Sequence, residues 1–203
     1  MPPATELFSS FDDAWRWFAS GGALVPIDEQ RARFTAGRAQ LLAFQAPIAD
    51  AAVIALAQQV HDALAGIDAL LPLPDDLLHC SLRAAGFQVI AKQRPDDVLR
   101  QDVGRIAERA ASAIRPCAPV DVTVGPVNVF PDALILEMHD GGALAGLRRA
   151  LAAATSHDAF VGDDAHYLPH ISLAFFEDAG PADALRDRLL ALRALPPVPT
   201  TIA

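Results

Sequence analysis

A chain of 203 residues, 52% hydrophobic and 20% charged, can bury a substantial core and is neither disordered nor collagen-like in composition. Its net charge of −9, with Lys92 the sole lysine, argues against broad electrostatic gripping of a polyanion such as long RNA. No uncharged apolar run reaches the roughly 20 residues that cross a bilayer, no secretory pattern opens the chain, and Cys80 and Cys117 form neither a zinc pattern nor a disulfide framework, so a cytoplasmic monomer with reduced thiols and no membrane partner is expected.

Residues 1–38 read as an N-terminal helical extension to a body spanning 39–203. Phe8, Phe11, Trp15 and Phe18 recur at spacings of 3, 4 and 3, one face of a helix that Gly21-Gly22 stops. This stripe is expected to pack on the body as core, with a substrate lid or a dimer contact as the alternatives. Gln40 to Pro47 predicts a buried strand, after which Asp50 caps an Ala-rich helix that Gly66 ends near Leu64. Pro72 and Pro74 precede a strand over Leu77 to Ala84. A helix from Asp96 or Asp97 to about Ile114 then runs into Pro116 and Pro119. Val120 to Phe130 alternates apolar and polar residues across a Gly125-Pro126 interruption, and Pro131-Asp132 turns it into Ala133 to His139 as a hairpin. A helix from Gly141-Gly142 to about Ala154, a strand from Tyr167 to Phe176 and a helix from Pro181 to Leu195 follow, and a Pro-rich tail suits an edge strand.

Two of these strands carry one pattern twice: His79-Cys80-Ser81-Leu82 and His170-Ile171-Ser172-Leu173, 91 positions apart. Side chains alternate along a strand, so each histidine shares a face with its serine while Cys80 and Ile171 point away. An imidazole moves protons near neutral pH, and a hydroxyl both donates to and accepts from a substrate oxygen. Burying a polar group without a partner costs about 1–3 kcal/mol. Two His/Ser pairs in apolar strands therefore point to a wet cleft and an acid–base device. Phe44 precedes His79 by 35 residues and Leu136 precedes His170 by 34, which supports two related lobes, each built as strand, helix and motif strand.

Other chemistry finds less support. His61 falls mid-helix, His139 at a strand end, and His157 and His166 in a polar loop, with His166 able to reach the cleft mouth. Without His-Glu-x-x-His or a comparable cluster, no metal or other cofactor is expected. Gly141-Gly142 with Gly146 lacks the Lys-Ser/Thr of a phosphate-binding loop, and no Gly-x-Ser-x-Gly elbow occurs. Arg83, Lys92 and Arg94 offer local cations for a small phosphate, with Arg83 a substrate-binding candidate, and Phe87, Tyr167 or Phe175 could stack on a base.

Leu78-His79-Cys80-Ser81-Leu82-Arg83 and Pro169-His170-Ile171-Ser172-Leu173, with Gly125-Pro126 through Phe130-Pro131 between them, resemble the two-histidine (2H) phosphoesterases, including the bacterial 2′-5′ RNA ligase and cyclic phosphodiesterase branch. The resemblance covers residues 39–176. It implies an α+β fold with two pseudo-symmetric lobes, each an antiparallel sheet flanked by helices, and a central groove where His79, Ser81, His170 and Ser172 meet as catalytic residues without a required metal. Cys80 stands where a bulkier aliphatic residue is usual. The expected function is hydrolysis of a 2′,3′-cyclic phosphodiester or related small nucleotide phosphoester, one histidine acting as base and the other as acid. The alternatives are a non-catalytic module that binds nucleotides or RNA ends, and a 2′-5′ RNA ligase-like activity.

Overall fold

In the computed structural model, which describes residues 8–155, 167–178 and 182–202, the apolar strand segments assemble into one eight-stranded sheet. The strands are β1 (Leu41–Pro47), β2 (Leu70–Pro72), β3 (His79–Val89), β4 (Asp97–Leu99), β5 (Val120–Phe130), β6 (Ala133–His139), β7 (His170–Phe176) and β8 (Val198–Ile202). They run in the order β1-β3-β7-β6-β5-β8, with β2 on β7 and β4 on β3. Every pairing is antiparallel except β3 with β4. The flanking helices are α1 (Phe11–Ala19), α2 (Ile27–Thr35), α3 (Ala51–Ala63), α4 (Val103–Ile114), α5 (Leu144–Thr155) and α6 (Ala182–Leu192).

The duplication seen in the sequence is a structural one. A strand, a helix and an antiparallel motif strand occur as β1, α3 and β3, and again as β6, α5 and β7. These halves join where β3 meets β7 through the single pair Cys80 with Ile171. Cys80, Leu82, Ile171 and Leu173 are buried in the same core as Val53, Leu56 and Val60 of α3 and Leu185 and Leu189 of α6. Asp50 caps α3 by accepting the Ala52 N–H at 2.8 Å, and β8 pairs with β5 as the expected edge strand.

The N-terminal aromatics are core. Ser10 accepts the Asp13 N–H at 3.1 Å and so starts α1, and Phe8 and Phe11 stack on Phe130 with centroids 6.0 and 6.5 Å apart. With Ala14 they cover Ala133 and Ile135 of β6, each buried aromatic contributing about 1.5–3 kcal/mol. Under this helix the fully buried Asn128 donates to the Phe11 carbonyl at 2.9 Å and to Glu137 Oε1 at 2.7 Å. Arg193 donates to the same carboxylate oxygen at 3.0 Å, and His139 lies 3.1 Å from Oε2.

Two expectations need correction. The helix expected from Asp96 or Asp97 starts only at Val103, because the Asp97 carboxylate is buried at a turn, accepting from the Gln93 and Arg94 N–H groups at 2.9 Å each and from Arg38 at 2.8 Å. That turn feeds β4 against β3, where Gly86 has φ +127° and a Cβ would meet the Asp96 carbonyl at 2.6 Å. The first motif strand begins at His79 and runs on to Val89, since Leu77 closes a 3₁₀ turn with Asp75. Helix α2 lies within the helical extension expected over residues 1–38, but no bounds could be read for it, since its sequence, IDEQRARFT, lacks a broad apolar stripe. Pro181, His157 and His166 lie outside the described residues, and among the described residues no helix is long and apolar enough to cross a membrane.

Asn128→Leu is expected to lower stability by about 1–3 kcal/mol, since it strips a hydrogen bond from a buried carboxylate. The loss should appear in the urea midpoint and as faster amide exchange across α1. An unchanged midpoint would contradict this account of how α1 is held.

Candidate active site

Cys80 and Ile171 are fully buried, which turns their neighbours to the opposite face of the sheet. Carrying the antiparallel register one residue each way from that pair sets His79 opposite Ser172 and Ser81 opposite His170. Each imidazole thus faces the other motif's hydroxyl. Directly opposed side chains in such a pair have Cβ atoms about 4.5–5.5 Å apart and diagonal ones about 7–8 Å. His79, Ser81, His170 and Ser172 all line one groove of about 790 Å³, a size that suits a small ligand.

The two histidines are held in the same way. His79 Nδ1 lies 2.7 Å from the Leu77 carbonyl, and His170 Nδ1 lies 2.7 Å from the Leu168 carbonyl. A carbonyl only accepts, so each Nδ1 carries the hydrogen and each neutral ring keeps its lone pair on Nε2. His79 Nε2 accepts from the Gln45 side-chain amide at 2.8 Å. His170 stands edge-on to Phe130 with centroids 4.9 Å apart. Loss of water around His170 pushes its pKa below the ordinary imidazole value; the Leu168 carbonyl opposes this, and the charge on nearby His79 adds to it. Burial also pushes up the carboxyl of Asp132, another lining residue.

Arg83, Tyr167 and Phe87, the expected substrate-binding residues, do not line the groove. Strict alternation would put Arg83 beside His79 and Ser81. A register shift intervenes, with Gln45 opposite Ser81 and Phe44 opposite Arg83, and this bulge turns Arg83 into the interior, where it is 4% exposed. Phe87 is buried beneath Phe34 and the Arg38 guanidinium, which sits 3.7 Å from its ring centroid. Tyr167 braces β3 by donating to the Ser81 carbonyl at 2.9 Å, with Arg148 stacked on its ring at 3.6 Å. Burial raises its phenol pKa and keeps it protonated. On β7 a matching shift, with Leu134 opposite Ala174 and Ile135 opposite Ser172, does the reverse and brings Phe175 to the groove. Lys92 and Arg94 are not among the lining residues, and His61 is structural, 3.0 Å from the Leu173 carbonyl.

Sequence reasoning missed Gln30, Arg31, Gln45 and Asp132, all of which line the groove. Gln45 left a signal, as the one polar side chain in the strand LLAFQAP. The other three left none, since a helix without an apolar stripe and a hairpin turn were their only context.

The family model of the 2′-5′ RNA ligase superfamily matches residues 79–203, a span that holds both His-x-Ser motifs. The chain belongs to this superfamily of two-histidine phosphoesterases. Among solved structures, the superfamily member resembles TT0787 of Thermus thermophilus, with a TM-score of 0.53 and 17% identity over 80% of this chain and 84% of that one. This likeness is one of fold. Escherichia coli LigT complexed with 3′-AMP aligns with a TM-score of 0.49 and 13% identity over 81% and 84% of the two chains. The comparison with curated proteins gives no match.

A lowered His170 pKa means that the folded state binds fewer protons than the unfolded one between that pKa and about 6.5. Stability therefore falls as pH drops through about 6.5 and levels off below the folded pKa. Urea midpoints should show wild type losing more stability than His170→Gln between about pH 7.5 and about pH 5. Parallel curves would contradict the burial of this imidazole.

Proposed function

We propose that the groove hydrolyses a 2′,3′-cyclic phosphodiester of a small nucleotide, with His79 and His170 as the proton-transfer pair. One observation carries this reading: both Nδ1 atoms are tied to a backbone carbonyl two residues earlier, at 2.7 Å each, which leaves two Nε2 atoms for one substrate.

The reaction needs a base and an acid at the same time. His170, whose environment disfavours its charged form, is the base: its Nε2 takes a proton from water as the water oxygen bonds to phosphorus. His79, protonated on both nitrogens, gives its Nε2 proton to the ribose oxygen as the P–O bond of the ring breaks. The products are a ribose hydroxyl and a phosphate monoester, and the two imidazoles have exchanged protonation states. Such proton transfer contributes about 10²–10⁴-fold per group. Ser81 and Ser172 donate to the nonbridging oxygens, where donors fixed in advance lower the barrier because they need no reorganisation. Gln45, bonded to His79 Nε2 in the free protein, orients that ring and must yield to the substrate.

His79→Ala and His170→Ala should each lower kcat on uridine or adenosine 2′,3′-cyclic phosphate, assayed in EDTA, by at least about 10²-fold. Ser81→Ala and Ser172→Ala should cost about 10²-fold each. The rate should follow a bell-shaped pH profile, since one imidazole must be neutral and the other charged. Binding without product would support a recognition module, and a 2′-5′-linked product would support ligation. A rate that climbs steadily from about pH 5 to about pH 9 would contradict the two-histidine assignment.

A further inference from the structure

The two halves of the sheet are alike down to their register. On β1 a shift falls just before Gln45, which then stands opposite Ser81; on β6 a shift falls just before Ile135, which stands opposite Ser172. Gln45 and Ile135 are therefore mates in the duplication, each sharing a face with its motif serine. They differ in chemistry. Gln45 is exposed, lines the groove and reaches His79 Nε2 at 2.8 Å. Ile135 is fully buried with Phe11 and Phe130 and offers an imidazole neither donor nor acceptor. Gln45 also precedes the family match, which begins at His79.

A primary amide suits an atom whose proton comes and goes. The neutral His79 ring keeps its lone pair on Nε2, because Nδ1–H is tied to the Leu77 carbonyl, and the Gln45 N–H donates to it. The charged ring carries hydrogen on both nitrogens and has no acceptor left. A half-turn of the Gln45 amide then brings its oxygen to nearly the same place, where it accepts from Nε2–H. That second bond is charge-assisted and the stronger of the two. His79 is thus bonded at both nitrogens in either state. His170 has the Leu168 carbonyl on Nδ1, and among the described residues no side chain is bonded to its Nε2. Arg31, Asp76, Asp132 and His170 are the charged or titratable side chains that line the groove with His79, and among the described residues none of them is bonded to its ring. Glu137, opposite His170 across β6 and β7, has its carboxylate bonded to Asn128, Arg193 and His139.

We propose that Gln45 is a positioning residue that follows the proton of His79, holding the ring in both states and so making His79, rather than His170, the acid that enters the reaction charged. This rests on the reading of the groove as a two-histidine phosphoester site. On binding, the ribose oxygen takes the place of the amide oxygen on Nε2–H. Once that hydrogen has passed to the ribose oxygen, the amide N–H competes with the new hydroxyl for the lone pair on Nε2.

The pH profile of kcat/KM on uridine 2′,3′-cyclic phosphate, which reports the free enzyme, is to be compared for wild type, Gln45→Leu and Gln45→Glu. Ring titrations of the free proteins are followed alongside by ¹H–¹⁵N spectra. In Gln45→Leu the charged ring loses its acceptor, so the alkaline limb should move to lower pH by about half a unit or more, with the acid limb in place. In Gln45→Glu the carboxylate accepts from the charged ring and cannot donate to the neutral one, so that limb should move to higher pH. The His79 titration should shift in the same two directions, and that of His170 by much less. Gln45 is exposed, so neither variant disturbs the core. A fall in rate that is uniform across pH, or a His79 titration unmoved by both variants, would overturn the role. If wild type turns over no cyclic phosphate while the His79 titration still shifts both ways, the hydrolytic reading fails and the hold of Gln45 on His79 stands.

Discussion

One antiparallel residue pair carries the geometry of the groove. Cys80 and Ile171, both fully buried, are the point where the two halves of the sheet meet, and the motif side chains are placed by their relation to it. A slip of one residue would send every imidazole and hydroxyl into the core and the apolar residues into water. The helices beneath forbid that, since Cys80 and Ile171 lie in the same core as α3 and α6. A small residue suits position 80: its sulfur is 3.4 Å from the Tyr167 hydroxyl, and Tyr167 in turn holds the Ser81 carbonyl. Desolvation raises the thiol pKa, so Cys80 stays neutral and serves packing.

The register shifts that follow this pair divide the strands into a chemical part and a supporting part. On β3 the shift comes directly after Ser81 and hides Arg83; on β7 it comes after Ser172 and presents Phe175. The charge of the groove follows. Arg31 is the cation among its lining residues, with Asp76 and Asp132 as the carboxyls, and the motif itself supplies two imidazoles and two hydroxyls. In a chain of net charge −9, the described groove lining offers few positive charges. That suits a small ligand better than a long polyanion, whose binding depends on many cationic contacts.

Much of this was legible in the sequence because it rests on local patterns. The His-x-Ser pairs, the Asp50 cap, the Pro131-Asp132 turn and the N-terminal aromatic stripe each declare themselves within a few residues. What could not be read depends on contacts between distant segments. Strict alternation misplaces Arg83, because a bulge is fixed by the partner strand and leaves no mark on its own. Asp97 looks like a helix start until Arg38, 59 positions earlier, is seen to bury it in a turn. The bounds of helix α2 escaped because its sequence lacks a broad apolar stripe, and with them went Gln30 and Arg31.

The central claim is that residues distant in sequence bring two imidazoles into one groove, close enough for His170 to sense the charge of His79. Long-range ¹H–¹⁵N spectra of the imidazoles, recorded through a pH titration of wild type and His79→Gln, test it most directly. The account predicts that both neutral rings carry hydrogen on Nδ1 and that removing His79 raises the pKa of His170. A His170 titration indifferent to the substitution, or a neutral ring protonated on Nε2, would contradict it.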